Sequence, residues 1–331
     1  MKMNRFWIFG LAVFLVACGG NETPPKKEEN KAVGTEETAS KEQTASKEQT
    51  ASKEQTITYL DKSYTLPVKV NNIIAASLES MEDAAMLNVK PLGAVTTAGK
   101  LPEYLASDLE GATSIGEKMQ PNYETILKLK PDVILGSSKY PDEVAEQLNK
   151  IGTMIPVSHI STDWEDNLLL MGKLTGKESE AEKIINDYKT KAEAAKTKVA
   201  EKVKDKNVFV IRIRANSMFV YPSGVYLNPV IYEDLGIKVP ELITKTAAQE
   251  EISIETLAEV NPDIIFLQFE ESENDKKTAA LDDVLKNPIF KSINAAKNDK
   301  VFVNVVEPMA QGGTAWSKEK FLNAAVENLS K

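Results

Sequence analysis

The chain of 331 residues contains one cysteine, Cys18, and one histidine, His159. A single cysteine excludes an internal disulfide framework. One histidine is too few for the clusters of His, Cys and carboxylate side chains that bind zinc or manganese. A serine hydrolase would need His159 beside an activated serine, and the chain has no Gly-x-Ser-x-Gly sequence. The composition therefore indicates neither a transition-metal centre nor a nucleophilic catalytic site.

Long apolar runs are also missing, because a transmembrane helix needs about 20 residues. The run Phe6–Val16 is shorter; it follows Lys2 and Arg5 and leads into Ala-Cys18. A short basic segment, a short apolar segment and small residues before a cysteine are typical of a bacterial lipoprotein signal. We therefore predict a signal peptide over 1–17, a lipid on Cys18, and attachment to the extracytoplasmic face of a Gram-positive cell membrane.

Large apolar side chains are scarce again over residues 18–56, where Thr-Ala-Ser-Lys-Glu-Gln occurs three times. Such a segment buries too little apolar surface to offset its ordering entropy, so we predict a disordered linker. A helix is the alternative, since Ala, Lys, Glu and Gln are good helix formers, but no apolar stripe would dock it. The net charge of −9 argues against nucleic acid as a partner.

An internal repeat organises the remaining 57–331. The segments 122–135 and 253–266 share a polar first residue, a glutamate, and Pro-Asp before three apolar residues. Each predicts a short helix capped by Asn122 or Ser253, a turn at the proline, and a buried parallel strand. A stretch of this length exceeds a comfortable single core, so the repeat predicts two lobes.

Alternation of strands and helices predicts an α/β fold with two Rossmann-like lobes and mostly parallel sheets, the ligand lying in the cleft between them. Residues 178–206 lack Pro and Gly and are rich in Ala, Lys and Glu, which predicts one long connecting helix. The lobes would then span 57–177 and 207–331. Besides the repeat, the predicted strands are Ile73–Ala76, Pro91–Val95, Met154–Ser158, Val208–Arg214, Met218–Tyr221 and Val301–Val305.

The signal, linker, paired lobes, connecting helix and duplicated Glu-x6-Pro-Asp elements resemble substrate-binding proteins of siderophore or cobalamin-type ABC importers. The strings at 116–122, 156–161, 211–214 and 310–317 resemble the Feu-type lipoproteins, which bind ferric catecholate siderophores such as bacillibactin. The resemblance implies a monomer without a cofactor, whose ligand is an Fe(III)–siderophore complex and whose partner is an ABC permease.

The resemblance also assigns a role to one glutamate in each lobe. In this family each lobe presents a glutamate to arginine pockets of the permease, and Glu124 and Glu255 stand at those positions. The repeat supports the assignment, because each lobe needs its own contact with a permease subunit. The alternative is that both are ordinary glutamates in a first helical turn, favoured there by the helix dipole.

Four basic residues form the candidate ligand site, and we call them the basic quartet: Lys118, Lys139, Arg212 and Arg214. Both lysines follow predicted strand ends, where open parallel sheets bind ligands. The arginines are two apart on one strand and so share a face. The resemblance implies that all four converge, and a ferric tris-catecholate of charge about −3 would need several cations with few carboxylates among them. The alternative is a solvated sheet face with scattered ion pairs.

Other candidates leave the preferred siderophore open. The resemblance implies that Gln249 donates hydrogen bonds to the ligand and that a lysine stands near position 247, where this chain has Ala247. Either Lys245 substitutes for it or one contact is missing. Ala215 is likewise small where a polar residue would help. Lys100 is a further candidate at the rim of the cleft, or else an ordinary exposed lysine.

Two groups of alternatives remain. The same fold could bind a ferric hydroxamate, cobalamin, or haem through His159 or a methionine, although the first two carry less negative charge than the basic quartet favours. From a different class, an exported α/β enzyme remains open, and turnover of a ligand would reveal it. A purely adhesive lipoprotein would lack a charged cleft.

Overall fold

The computed structural model describes residues 53–275 and 277–331. The predicted signal peptide, Cys18 and most of the repeated linker lie outside the described residues. In the described part, no helix is both long enough and apolar enough to cross a membrane.

Strands and helices alternate along the described chain. The strands are β1 (Glu54–Tyr59), β2 (Lys62–Pro67), β3 (Ile73–Ala76), β4 (Gly93–Thr96), β5 (Thr113–Glu117), β6 (Gln120–Pro121), β7 (Val133–Ser137), β8 (Met154–Val157), β9 (Val208–Arg214), β10 (Ser217–Val220), β11 (Glu250–Ile252), β12 (Ile264–Phe269) and β13 (Val301–Val303). The helices are α1 (Leu78–Met86), α2 (Tyr123–Leu129), α3 (Asp142–Asn149), α4 (Trp164–Thr175), α5 (Glu178–Val203), α6 (Glu241–Lys245), α7 (Ile254–Val260), α8 (Thr278–Lys286), α9 (Pro288–Lys291), α10 (Asn294–Lys297) and α11 (Ala315–Leu329). Each predicted strand has a counterpart whose ends differ by at most two residues.

A six-stranded sheet in the order β6-β5-β4-β3-β7-β8 forms the first lobe. Its pairings are parallel except at the edge, where β6 runs antiparallel to β5. The central strands β3 and β7 are wholly buried, as their β-branched and aliphatic residues require. The parallel arrangement brings the carboxyl ends of five neighbouring strands to one edge.

The second lobe contains a sheet in the order β11-β10-β9-β12-β13. Strands β9, β12 and β13 are parallel, whereas β10 is antiparallel to both of its neighbours. The reversal follows from a two-residue turn at Ala215 and Asn216, whose φ angles of 49° and 62° suit a tight hairpin. This sheet is therefore less parallel than the sequence predicted.

A hairpin of β1 and β2 precedes the first sheet and was not predicted. Strand β1 begins at Glu54, inside the range assigned to the linker and three residues before the predicted lobe boundary at Ile57. Its apolar face includes Ile57 and Tyr59, both buried. The Tyr59 hydroxyl donates to Asn167 Oδ1 in α4, which fastens the hairpin to the lobe.

The predicted repeat is confirmed in detail. Asn122 and Ser253 cap α2 and α7 by accepting the backbone N–H three residues on, at 2.9 and 3.0 Å. Both helices end at a residue with φ of 49°, directly before the proline. Asp132 Oδ2 and Asp263 Oδ2 then accept backbone N–H groups of the segment that enters the neighbouring strand. The Pro-Asp pair thus ends a helix and fixes two strand entrances.

The predicted long helix is α5, and it ends three residues before the predicted boundary. Its buried residues recur every three or four positions, which gives one continuous apolar stripe. They are Ala181, Ile185, Tyr188, Ala192, Ala195, Val199 and Val203. The stripe packs against α4 and α11, so the helix lies on the protein rather than bridging solvent.

The two lobes share part of their hydrophobic core. One cluster of buried side chains joins Leu135 of the first sheet to Phe266 of the second through α4, α5 and α11. A buried carboxylate adds a polar link: Glu82 in α1 accepts hydrogen bonds from Tyr104 at 2.7 Å, from Thr314 and from Ser317 at the start of α11. Burial raises the pKa of Glu82 to about 7 against these donors.

Hydrogen bonds to the backbone also link the two lobes. Ser161, after β8, donates its N–H to Gly224 O and its hydroxyl to Tyr226 O. Gly312 has a φ of +76°, and a Cβ placed there would lie 2.2 Å from Tyr226 O. Glycine is required at position 312 both for the backbone conformation and for this close approach.

We predict that Gly312→Ala lowers the free energy of unfolding by roughly 2 to 5 kcal/mol, since strain at positive φ and overpacking each cost about 1 to 3 kcal/mol. Chemical denaturation measures the loss. Gly176→Ala is the matched control, because Gly176 has a φ of +70° and nothing within 4 Å of the added carbon. Equal losses in the two variants would show that the contact with Tyr226 contributes nothing.

Candidate ligand-binding site

A cavity, partly open to solvent, lies between the two lobes. Both sheets and the segment before α11 contribute to its wall. The lining residues are Ser77, Leu78, Glu79, Lys118, Met119, Ser137, Lys139, His159, Arg212, Arg214, Tyr221, Val225, Tyr226, Gln249, Glu273 and Gln311. The whole basic quartet is among them, as the sequence predicted.

The first lobe presents its residues from strand ends. Ser77 follows β3 directly, Lys118 follows β5, and Lys139 and His159 each stand two residues after β7 and β8. Because these strands are parallel neighbours, their carboxyl ends lie side by side and their following residues face one space. The order of the sheet thus gathers residues that are up to 82 positions apart in sequence.

The second lobe presents Arg212 and Arg214 from the end of β9. Both face the cavity, as their spacing of two predicts, but their surroundings differ. The Arg212 side chain is 7 % exposed and its guanidinium lies 5.2 Å from the Tyr226 ring centroid, whereas Arg214 is 42 % exposed. Gln249 Oε1 accepts from Arg214 at 3.4 Å and from Tyr221 at 3.2 Å, so it links the more exposed arginine to the cavity wall.

Glu273 lies among the cations, and the sequence analysis did not anticipate it. Its Oε2 accepts from Arg212 Nε at 3.0 Å and Nη2 at 2.7 Å. Its Oε1 lies 3.7 Å from Arg214 Nε and 3.7 Å from Lys118 Nζ. Since Lys118 belongs to the first lobe and Glu273 to the second, the last ion pair crosses the cavity.

A second carboxylate corrects the expected charge of the site further. Glu79, 5 % exposed in the first turn of α1, has an oxygen 3.8 Å from Lys139 Nζ. The cavity therefore carries four cations and two carboxylates, a net charge of +2, rather than cations with few carboxylates among them. The surplus remains positive, so the site still favours an anion.

The pKa values in the site reflect this crowding. Burial lowers the pKa of Lys118, Glu273 opposes this shift, and the other three members of the basic quartet add to it. For Glu273, burial alone would raise the pKa, but Arg212, Arg214 and Lys118 outweigh it and hold the pKa below its ordinary value. Glu273 is therefore ionised at neutral pH.

His159 lines the cavity beside a serine. Its Nδ1 lies 2.8 Å from Ser138 Oγ, which also accepts the backbone N–H of His159 at 3.1 Å. Burial and the nearby Lys139 lower the pKa of the imidazole, so it is neutral at pH 7. Among the described residues, no group of three or more His, Cys, Asp or Glu side chains could hold a metal ion.

Apolar and aromatic side chains complete the wall. Tyr221 and Tyr226 stack at 4.9 Å between ring centroids, and Leu78, Val225 and Met119 lie around them. Flat apolar faces beside fixed cations match a ligand that combines aromatic rings with negative charge. By contrast, neither described tryptophan, Trp164 or Trp316, lines the cavity.

Two predicted candidates lie elsewhere. Lys100 is exposed in a small turn, where it pairs with Thr97 through the backbone. Lys245, in α6, forms an ion pair with Glu241 one turn earlier and is 72 % exposed. Neither lysine lines the cavity, and neither does Ala247. Local sequence could not decide this, because both lysines look equally free in the chain.

The two docking candidates occupy equivalent places. Glu124 and Glu255 are each the second residue of their helix, α2 and α7, and both are exposed. Glu124 forms an ion pair with Lys128 at 2.7 Å. An exposed pair of this kind contributes about 0.3 to 0.5 kcal/mol, so it exchanges readily for another partner.

The residues that sequence reasoning missed fall into two kinds. Ser77 and His159 follow the ends of the parallel strands β3 and β8 by one and two residues, so the rule that predicted Lys139 could have found them. Tyr221 follows the antiparallel strand β10, to which that rule does not apply. Glu79, Glu273 and Gln311 had no such signal. Glu273 stands in an acidic segment that reads as an ordinary surface turn, and only the tertiary fold brings it to the arginines.

Comparison with known proteins identifies the family to which the chain belongs. The family model described as periplasmic binding protein matches residues 73–304. The iron-uptake system-binding protein of Bacillus subtilis is 49 % identical over 322 residues, covering 97 % of this chain and 96 % of its own. The chain belongs to the periplasmic binding protein family.

A solved structure and a second relative extend the comparison. The triscatecholate siderophore binding protein FeuA of Bacillus subtilis, complexed with ferri-bacillibactin, is 50 % identical and superposes with a TM-score of 0.81. The alignment covers 83 % of this chain and 98 % of FeuA. A probable siderophore-binding lipoprotein of the same organism, YfiY, is 26 % identical over 246 residues, or 71 % of this chain and 75 % of its own. The resemblance stated from the sequence to a periplasmic-type binding protein is thus confirmed.

Proposed function

We propose that this chain is the substrate-binding component of an ABC iron importer, which captures a ferric catecholate siderophore and delivers it to a membrane permease. The convergence of the basic quartet on one cavity between two lobes carries the proposal. The likeness to FeuA, which was crystallised with ferri-bacillibactin, supports it. Iron stays inside its chelator, and the protein supplies shape and charge.

The charge of the cavity favours a catecholate over the alternatives. A ferric tris-catecholate of charge about −3 offsets the net +2 of the lining to within one charge, so every cation of the basic quartet gains an anionic partner. Arginine suits planar chelating oxygens because its donors form a fork, and lysine adds a mobile point charge. A ferric hydroxamate or cobalamin carries less negative charge and would leave the surplus uncompensated.

The rival reading as an exported enzyme is weaker. Ser138 and His159 form a hydrogen-bonded pair, but the bond uses Nδ1, the nitrogen that a carboxylate holds in a catalytic triad. The serine oxygen also accepts a backbone N–H, which opposes its activation as a nucleophile. We therefore assign the pair to orientation of the imidazole, and we propose that the protein binds its ligand without turnover.

We predict tight binding of ferric bacillibactin by the full chain, and weak binding of a ferric hydroxamate, haem and cobalamin. Lys118→Ala/Arg214→Ala should lower the affinity for the catecholate by at least roughly 100-fold, because removing one partner of a desolvated charge pair costs about 2 to 5 kcal/mol. Equilibrium titration, by calorimetry or fluorescence quenching, measures both.

The matched control is Lys183→Ala/Lys189→Ala, which removes two cations from the exposed side of α5. Its affinity should equal that of the wild type. Tight binding of another of these ligands, or unchanged binding by the cavity variant, would refute the proposed ligand while leaving the family assignment intact.

We further propose that Glu124 and Glu255 dock the two lobes onto the permease. Their equivalent positions in α2 and α7 support this role, since a two-subunit partner would meet one glutamate from each lobe. Both side chains lie outside the cavity wall, so the docking surface is separate from the ligand site.

Glu124→Ala/Glu255→Ala should therefore abolish uptake of radiolabelled ferric siderophore in cells and leave the affinity of the purified protein unchanged. Glu182→Ala/Glu193→Ala, which removes two exposed carboxylates from α5, is the control for charge and should transport normally. Normal uptake by the docking variant would contradict the assignment.

We also propose that a lipid on Cys18 tethers the protein to the extracytoplasmic face of the membrane. The signal sequence supports this, as does the description of the relative YfiY as a lipoprotein. Cys18→Ser should move the protein from the membrane fraction into the medium, because acyl chains supply the anchoring energy. Cell fractionation with immunoblotting measures the distribution, and a variant that stays with the membrane would exclude the lipid anchor.

A further inference from the structure

We propose that Glu273 is a positioning residue that keeps Lys118 protonated and close to the two arginines before an anionic ligand binds. The inference rests on the proposed function for the identity of the ligand. The charge state of Lys118 is a property of the protein alone and can be measured without any ligand.

The two carboxylate oxygens of Glu273 contact different cations. Oε2 is committed to Arg212, with two hydrogen bonds of 3.0 and 2.7 Å. Oε1 lies 3.7 Å from both Lys118 and Arg214. The carboxylate is thus fixed by the buried arginine and turned so that its second oxygen faces the two more exposed cations.

Lys118 stands in surroundings that favour its neutral form. Burial lowers its pKa, and Arg214, Arg212 and Lys139 lower it further, whereas Glu273 acts in the opposite direction. The other titratable groups in the cavity wall are Glu79, which faces Lys139, and His159, Tyr221 and Tyr226. The pKa of His159 is lowered and those of both tyrosines are raised, which moves their titrations away from that of Lys118.

Without Glu273, the cavity would have to bind a proton together with its ligand. A neutral Lys118 offers an anion no charge, so an anion would bind first to the few molecules that carry the proton. The affinity would then fall as the pH rises, by up to about tenfold per pH unit above the pKa of Lys118. With Glu273 present, the proton is already in place and the affinity is nearly independent of pH.

The direct test is an NMR titration of Lys118 in the full chain with labelled lysine, without ligand. Glu273→Gln keeps an oxygen that can accept from Arg212 and removes the charge, and it should lower the pKa of Lys118 by at least about one unit. Glu79→Gln removes a carboxylate from the same cavity that does not contact Lys118, so it should leave this pKa nearly unchanged. An equal pKa in Glu273→Gln and wild type would overturn the inference.

The binding test uses ferric bacillibactin from about pH 7.5 to 9.5. The affinity of Glu273→Gln should fall with rising pH more steeply than that of the wild type. Glu273→Gln/Lys118→Arg should restore the flat profile, because arginine stays protonated throughout. A Glu273→Gln variant that binds more tightly at every pH with an unchanged slope would show that Glu273 only repels the ligand, which would overturn the inference.

Two further comparisons keep the test decisive. Glu273→Asp withdraws the charge by one methylene and should give Lys118 an intermediate pKa, a measurement that stands if the glutamine variant does not fold. If the wild type does not bind ferric bacillibactin, the proposed ligand fails but the NMR titration still decides the role of Glu273.

Discussion

Repulsion between like charges is the constraint that the site has to satisfy. Two unit charges 4 Å apart interact by about 4 kcal/mol at an effective dielectric constant near 20, so four cations at one cavity oppose both folding and closure of the lobes. Two carboxylates reduce this repulsion. Glu273 contacts three members of the basic quartet, and Glu79 contacts the fourth. The cations and carboxylates together give the cavity a net charge of +2. This charge favours an anionic ligand, and each cation still has a carboxylate nearby.

The fold places these charges with ordinary means. Parallel strands bring their carboxyl ends to one edge, and the residues that follow them inherit a common direction. The duplicated Pro-Asp element sets a central strand in each lobe, with Asp132 and Asp263 accepting the backbone N–H groups that enter the adjacent strand. Two similar lobes thereby face each other across the cavity, and each carries one exposed glutamate at the start of the repeated helix.

Much of this could be predicted from the sequence, for physical reasons. The repeat, its helix caps and the long helix depend on local spacing, which the chain displays directly. The convergence of the basic quartet was implied by the family resemblance. By contrast, the carboxylate that pairs with each cation cannot be read from local spacing, because the tertiary fold determines it. Glu273 is 59 residues beyond Arg214, and local sequence did not show that the further candidates Lys100 and Lys245 lie outside the cavity. The start of the first strand at Glu54 was missed because its residues also complete a polar repeat.

The shared core affects how the protein unfolds and how readily proteases cut it. One hydrophobic cluster joins both sheets through α4, α5 and α11, and Glu82 ties α1 to the start of α11. Neither lobe can come apart without exposing apolar surface of the other, so forms with one intact lobe are costly and rare. Proteolysis depends on the population of such opened forms when opening is fast. The same packing that limits motion between the lobes therefore leaves proteases few partly open molecules to cut.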